Sequence, residues 1–163
     1  MFINYIKESE KYRPKKINIL LVGEAPPPKG DKYFYIPRKM NLKLSIKKDS
    51  SLPATIFYHF FKKRPRTEKE YFLFLKKLKQ KGVYLIDIID KPIRVRDKNG
   101  INIKAIKIIK KGIKELRVKM SKRRINISDN KIIFLIPRNH YKKEITYQFP
   151  GSQIIRWIKY RMG

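Results

Sequence analysis

Apolar residues along the chain fall into short unbroken runs and longer periodic ones. Ile17 to Val22 is apolar apart from Asn18, and Val83-Tyr84-Leu85-Ile86 and Ile132 to Ile136 repeat the pattern. Runs of this length suit strands covered on both faces, as in a parallel sheet. Ile145 to Phe149 reads as a fourth strand, broken by Pro150-Gly151. The link between the third and fourth runs is too short for a clear helix, which leaves its geometry open.

Between the runs the period becomes helical. Met1 to Lys11, with Phe2, Ile3 and Ile6, suits a short helix packed on the sheet, and 13–16 is a basic linker. Pro53 stands at the first turn of a helix over Leu52 to Phe61. Thr67 and Glu70 form a capping box for a helix to about Lys81 that buries Tyr71, Phe72, Leu75 and Leu78, and Gly82 stops it. Asn102 caps the longest helix, to about Arg124, with Ile106, Ile109, Ile113, Leu116 and Met120 on one stripe. Lys104, Lys107, Lys110, Lys111, Lys114 and Lys122 fall opposite. Ser152 caps a last helix carrying Ile154, Ile155, Trp157, Ile158 and Met162. The segment from Ile36 to Ser51 is polar, basic and aperiodic, a long loop of the kind that often carries function. Strands separated by helices predict an α/β fold: one domain over 1–163 with a four-stranded, mainly parallel sheet and right-handed crossovers.

Composition narrows the chemistry. With 163 residues and 42% apolar content the chain can bury a core. It lacks an apolar run long enough to span a membrane, and the N-terminus lacks the order of a secretory signal, so the cytosol is the expected compartment. The chain has no cysteine, which excludes disulfides, thiolate zinc sites and iron–sulfur clusters. Two histidines and no cysteine argue against a metal, and no phosphate-binding glycine loop appears, so no cofactor is expected. The 42 Lys and Arg against 13 acids give a net charge of +29. Lysine enrichment of the thermophile kind normally comes with glutamate, which is scarce here. Self-repulsion of this size points to a polyanionic partner, foremost nucleic acid, through phosphate contacts and counterion release.

Two strands end in carboxylates. Gly23-Glu24 closes the first, followed by Pro26-Pro27-Pro28 and the triplet Tyr33-Phe34-Tyr35, and Asp87 closes the second. Open α/β sheets place their sites at such strand ends. The sequence Gly23-Glu24-Ala25-Pro26 after a hydrophobic strand resembles the first motif of the uracil-DNA glycosylase superfamily, especially its G-E-A-P-G branch. That branch typically carries a cysteine-bound iron–sulfur cluster, which this chain cannot hold.

The resemblance implies a three-layer α/β/α domain that extrudes a damaged base from DNA and hydrolyses its N-glycosidic bond, an activity of base-excision repair. It implies Glu24 as the residue that positions the water and faces the cationic sugar. Gly23, Ala25 and Pro26 would shape the pocket, and an aromatic of the triplet, Phe34 or else Tyr33 or Tyr35, would stack on the base. Asp87 stands where the family usually has Asn. An ionised Asp only accepts hydrogen bonds, which favours a base presenting an amino group over uracil, whereas a protonated Asp would restore a donor. The third motif, commonly H-P-S, would align with Phe149-Pro150-Gly151-Ser152, its His replaced by Phe149. A helix beginning at Ser152 could bind a phosphate there. His140 could serve in place of the missing imidazole. Lys62, Lys63, Arg64, Arg66, Arg138, His140 and Gly151 are the candidate DNA contacts. The expected partner is single- or double-stranded DNA, with RNA as an alternative, and the expected state is a monomer without membrane association. Two rival functions remain: a nucleic-acid-binding protein of the same fold without catalysis, and an RNA-binding accessory protein.

Overall fold

The structure is a computed structural model that describes residues 3–46, 48–97, 99–136 and 139–155. Its elements in chain order are α1 (Tyr5–Glu10), β1 (Ile19–Gly23), α2 (Leu52–Phe61), α3 (Glu68–Gln80), β2 (Val83–Asp87), β3 (Arg96–Asp97), β4 (Gly100–Ile101), α4 (Ile103–Lys122), β5 (Ile132–Leu135), α5 (Lys142–Gln148) and β6 (Gln153–Ile155). Among the described residues, four strands form one all-parallel sheet in the order β2-β1-β5-β6, and β3 and β4 pair as a small antiparallel ribbon. The register pairs Gly23 with Asp87, so the two carboxylate-bearing strand ends lie side by side.

Helix starts follow their caps. Asn4, Ser51, Thr67 and Asn102 each accept a backbone N–H of the first turn through the side chain. The reciprocal arm of the expected capping box is not made: the Glu70 carboxylate lies 4.0 Å from the Lys63 ammonium. Gly82 adopts φ +76°, and a Cβ there would lie 2.4 Å from Asn18 Nδ2. Positive φ and a close neighbour therefore both demand glycine at this turn.

Alternation along the strands sends Ile19, Leu21, Ile133 and Leu135 toward α2, beside Thr55, Ile56 and Phe60. The opposite face carries Tyr84 beneath Arg123, at the C-terminal end of α4, and Phe134 against Phe149 after α5. The chain is thus an α/β domain with an all-parallel sheet and helices, compatible with three α/β/α layers. Leu20, Phe57, Phe74, Ile109 and Ile113 are among its fully buried side chains; each contributes about 1.5–3 kcal/mol relative to exposure. Among the described residues no helix is long and apolar enough to cross a membrane.

Three expectations change. Phe72 is exposed, with the Lys76 ammonium 5.3 Å from its ring centre, and Phe74 takes the buried place. Residues 145–149 are not a strand: α5 occupies Lys142–Gln148, and β6 begins only at Gln153. Tyr141, Ile145 and Phe149 are all buried at intervals of four, the spacing of one helical face. Ser152 accordingly starts no helix; it leads into a strand, and its Oγ donates to Phe149 O at 2.7 Å. The expectations for Phe2, Arg138, Trp157, Ile158 and Met162 lie outside the described residues.

Candidate active site

The ladder between β1 and β2 continues past both strand ends. Ile88 N–H donates to Gly23 O at 2.9 Å and Ile89 N–H to Glu24 O at 3.2 Å, which ties the loop carrying Glu24 to the turn after Asp87. A Cβ at Gly23 would stand 2.7 Å from Asp87 Oδ1, so only glycine leaves the carboxyl its place. From α4, Lys119 Nζ donates to Asp87 O at 2.5 Å, to Ile88 O at 3.2 Å and to Asp90 Oδ1 at 2.7 Å. This clamp fixes the turn on which Asp87 sits.

A cleft of about 290 Å³ opens at this edge. Glu24, Ala25 and Pro26 form one wall, Asp87 and Leu85 the floor, and Tyr33 and Phe34 an aromatic side. Ser51 and Pro53 at the start of α2 face it, as do Lys32 and Arg38. Arg38 is held by its Nη1 donating to Tyr33 O at 3.3 Å and by the Tyr71 ring, 5.5 Å from its guanidinium.

Asp87 is 6% exposed. Among the described residues no protein group donates a hydrogen bond to its carboxyl oxygens. Burial pushes this carboxyl up to about 7. The Lys119 and Arg123 charges oppose the rise, while Asp90 and Glu24 add to it. Near neutrality the group is therefore shared between a protonated form that donates and an ionised form that accepts. The Tyr33 hydroxyl is likewise raised by burial, with the Asp87 charge adding, and remains a neutral donor.

The structure brings Gly23, Glu24, Ala25, Pro26, Phe34 and Asp87 together as the strand ends suggested. Tyr35 is elsewhere. Its ring stacks on Tyr12 at 5.6 Å, and its hydroxyl accepts the outer N–H of Leu85 at 2.6 Å, closing the free edge of β2. Phe149, Gly151 and Ser152 are also removed from the cleft. Phe149 is fully buried between Phe134 and the Arg117 guanidinium, which lies 4.2 Å from its ring centre. Gly151 faces Asp129, just ahead of β5. All three precede β6 and so lie at the amino edge of the parallel sheet, opposite the cleft. The alignment of a third motif at 149–152 is therefore corrected: topology places it at the wrong end of the strands.

Of the proposed DNA contacts, Lys62, Lys63 and Arg66 are exposed on the turn after α2. Arg64 folds inward, donating to Asp49 Oδ2 at 2.7 Å and to Leu44 O at 2.8 Å. Burial opposes ionisation of Asp49, but Arg64 and Ser51 outweigh it and hold the carboxyl below its ordinary range. His140 is exposed in the turn after β5, and Arg138 lies outside the described residues. Sequence reasoning missed Arg38, Lys32 and Ser51, although Arg38 stands in the long polar loop flagged for function. It also missed Lys119, which carries no sequence signal because its partners follow a different element. No family model, curated protein or solved structure matches this chain.

Proposed function

We propose that the carboxyl-edge cleft is a base-excision site of the uracil-DNA glycosylase kind, acting on a damaged base extruded from DNA. The observation that carries the reading is that Glu24 and Asp87, at adjacent strand ends, line one cleft with Phe34. The volume lies near the lower limit of small-ligand pockets, a scale suited to a single base. In this reading Phe34 and the proline wall pack on the base, and Asp87 reads its edge. Protonated Asp87 donates to a ring carbonyl; ionised Asp87 accepts from an amino or imino N–H. Glu24 aligns the water and stabilises the cationic sugar as the bond to the base lengthens. Arg38 and Lys32 offer positive charge to the flanking phosphate or to the departing base.

A second reading keeps the fold and the DNA but removes catalysis. The position of Phe149 favours it, since 149–152 supplies no group to the departing base. The two readings separate on a panel of duplex and single-stranded oligonucleotides, each holding one uracil, hypoxanthine or alkylated base, scored for abasic sites. Excision by the wild type and its loss in Glu24→Ala are expected. Tight binding without abasic sites on any substrate would establish the binding protein instead, and an RNA competitor stronger than DNA would reassign the polyanion.

A further inference from the structure

At the opposite end of the strands, a concavity of about 370 Å³ lies between the linker into β1 and the loop joining α4 to β5. Arg13, Lys15, Lys16, Arg124 and Lys131 line it, with polar side chains from Asn126 and Ser128. Lys15, Lys16, Arg124 and Lys131 are exposed, and none forms an ion pair among the described residues. The neighbouring acids are engaged: Asp129 with Arg117 at 2.8 Å, and Glu10 with Arg123 at 2.7 Å and with Arg13 at 3.4 Å. Arg13 donates to Arg123 O at 2.7 Å and Arg124 O at 2.9 Å, covering the carbonyl end of α4 that would otherwise repel an anion. Arg124 is held at φ +54°.

We propose that this amino-edge basket is a second nucleic-acid site, one that takes backbone phosphates and reads no base. Lys15, Lys16, Arg124 and Lys131 converge without a carboxylate among them and repel one another, and a phosphodiester relieves that repulsion while releasing counterions. Among the described residues no aromatic side chain lines the basket, so the stacking platform that base contact uses is missing from its described lining. None of the large exposed apolar side chains lines it either, whereas membrane-surface binding pairs cations with buried apolar groups. Strands of four or five residues at about 3.3 Å each separate the two edges by about 15 Å. The basket therefore holds a different stretch of backbone from the one at the cleft. The inference rests on nucleic acid as the partner in the proposed function, but not on base excision.

The test compares two variants of equal net charge. One changes Lys15, Lys16, Arg124 and Lys131 to Gln; the other changes Lys104, Lys107, Lys111 and Lys114, on the outer face of α4, to Gln. Binding of a fluorescent 20-nucleotide DNA without lesions is measured across a salt series. The basket variant is expected to bind at least about tenfold more weakly, with its salt slope reduced by about 2–3, and the α4 variant to change far less. Equal losses in both variants would mean that only net charge matters, and no loss in the basket variant would mean that it touches no phosphate; either overturns the proposal. It also fails if inorganic triphosphate binds the basket while DNA binding is alike in both variants, since the site then serves a small phosphate compound. Should the fourfold variant not fold, Lys15→Gln, Lys16→Gln and Lys131→Gln together, which leave the positive-φ position of Arg124 unchanged, are read with a matched three-lysine α4 control. Abasic-site yield at saturating protein reports the cleft separately, so a failure of excision leaves this result readable.

Discussion

At the carboxyl ends of β1 and β2, Glu24, Asp87 and Asp90 stand among Lys32, Arg38 and Lys119, with Phe34 and prolines as apolar walls. At the amino ends of the sheet, Lys15, Lys16, Arg124 and Lys131 meet no carboxylate partner and no aromatic among the described residues. One edge combines both signs of charge with apolar surface and a carboxyl raised by burial. The other offers charge alone. Mixed chemistry in a cleft can orient a ligand and act on it, whereas uniform charge on an open surface can only hold an anion. The +29 of the whole chain thus conceals two regions that a polyanion would meet in different ways.

The largest expected effect tests whether the carboxyl edge is the reactive one. Glu24→Ala is expected to lower single-turnover base release by about 10²–10⁴-fold, the usual scale for a positioned acid–base group, with DNA affinity changed less than threefold. Abasic-site formation and fluorescence anisotropy on the same oligonucleotide check the two halves. Unchanged base release would remove Glu24 from the site.

Phe149→His bears on which edge that residue occupies. Buried between Phe134 and Arg117, it is expected to cost about 2–4 kcal/mol in urea unfolding, through lost packing and a buried polar ring, with no gain in uracil excision. A gain in excision with stability preserved would place Phe149 at the cleft and break the contrast between the edges.

Asp87 sharpens the contrast through pH. Its carboxyl is raised in the folded protein, so ionisation costs more there than in the unfolded chain. The native state then binds more protons than the unfolded state from about pH 4 to about pH 7, and stability falls as pH rises through that window. Asp87→Asn removes the effect. Relative to wild type the variant is expected to gain about 1–3 kcal/mol between pH 4 and pH 8, with no further change above. Thermal unfolding at both pH values checks this; a pH-independent difference would show that the carboxyl is not desolvated. In excision assays, the variant should lose the pH dependence of the preference between carbonyl- and amino-bearing bases.

Tyr35→Phe has the smallest expected effect. It leaves the Leu85 N–H at the edge of β2 without its acceptor, for about 1–2 kcal/mol, and excision unchanged. A large loss of excision at intact stability would return Tyr35 to the site.

Three strands were legible from their apolar runs, because a strand buried on both faces needs little beyond length and hydrophobicity. Three helix starts were equally legible, since Pro53 fits only a first turn and Thr67 and Asn102 act on N–H groups within a few residues of themselves. The meeting of Glu24 and Asp87 followed from the same reading: parallel strands joined by crossovers end on a common edge. Residues 145–155 did not follow. A seven-residue helix and a three-residue strand carry too few periods to tell apart, and the pairing of β6 with β5 decides between them. Reversing that pair of elements moved Phe149 to the far edge. Likewise, which aromatic of 33–35 faced the cleft depended on the free N–H of Leu85, fifty residues away. The inward turn of Arg64 depended on Asp49, and the state of Asp87 on burial together with Lys119, Asp90 and Arg123. Local signals act over a turn or a strand and are written in the sequence itself. Desolvation and charge pairing act through space, between groups that only the folded chain makes neighbours.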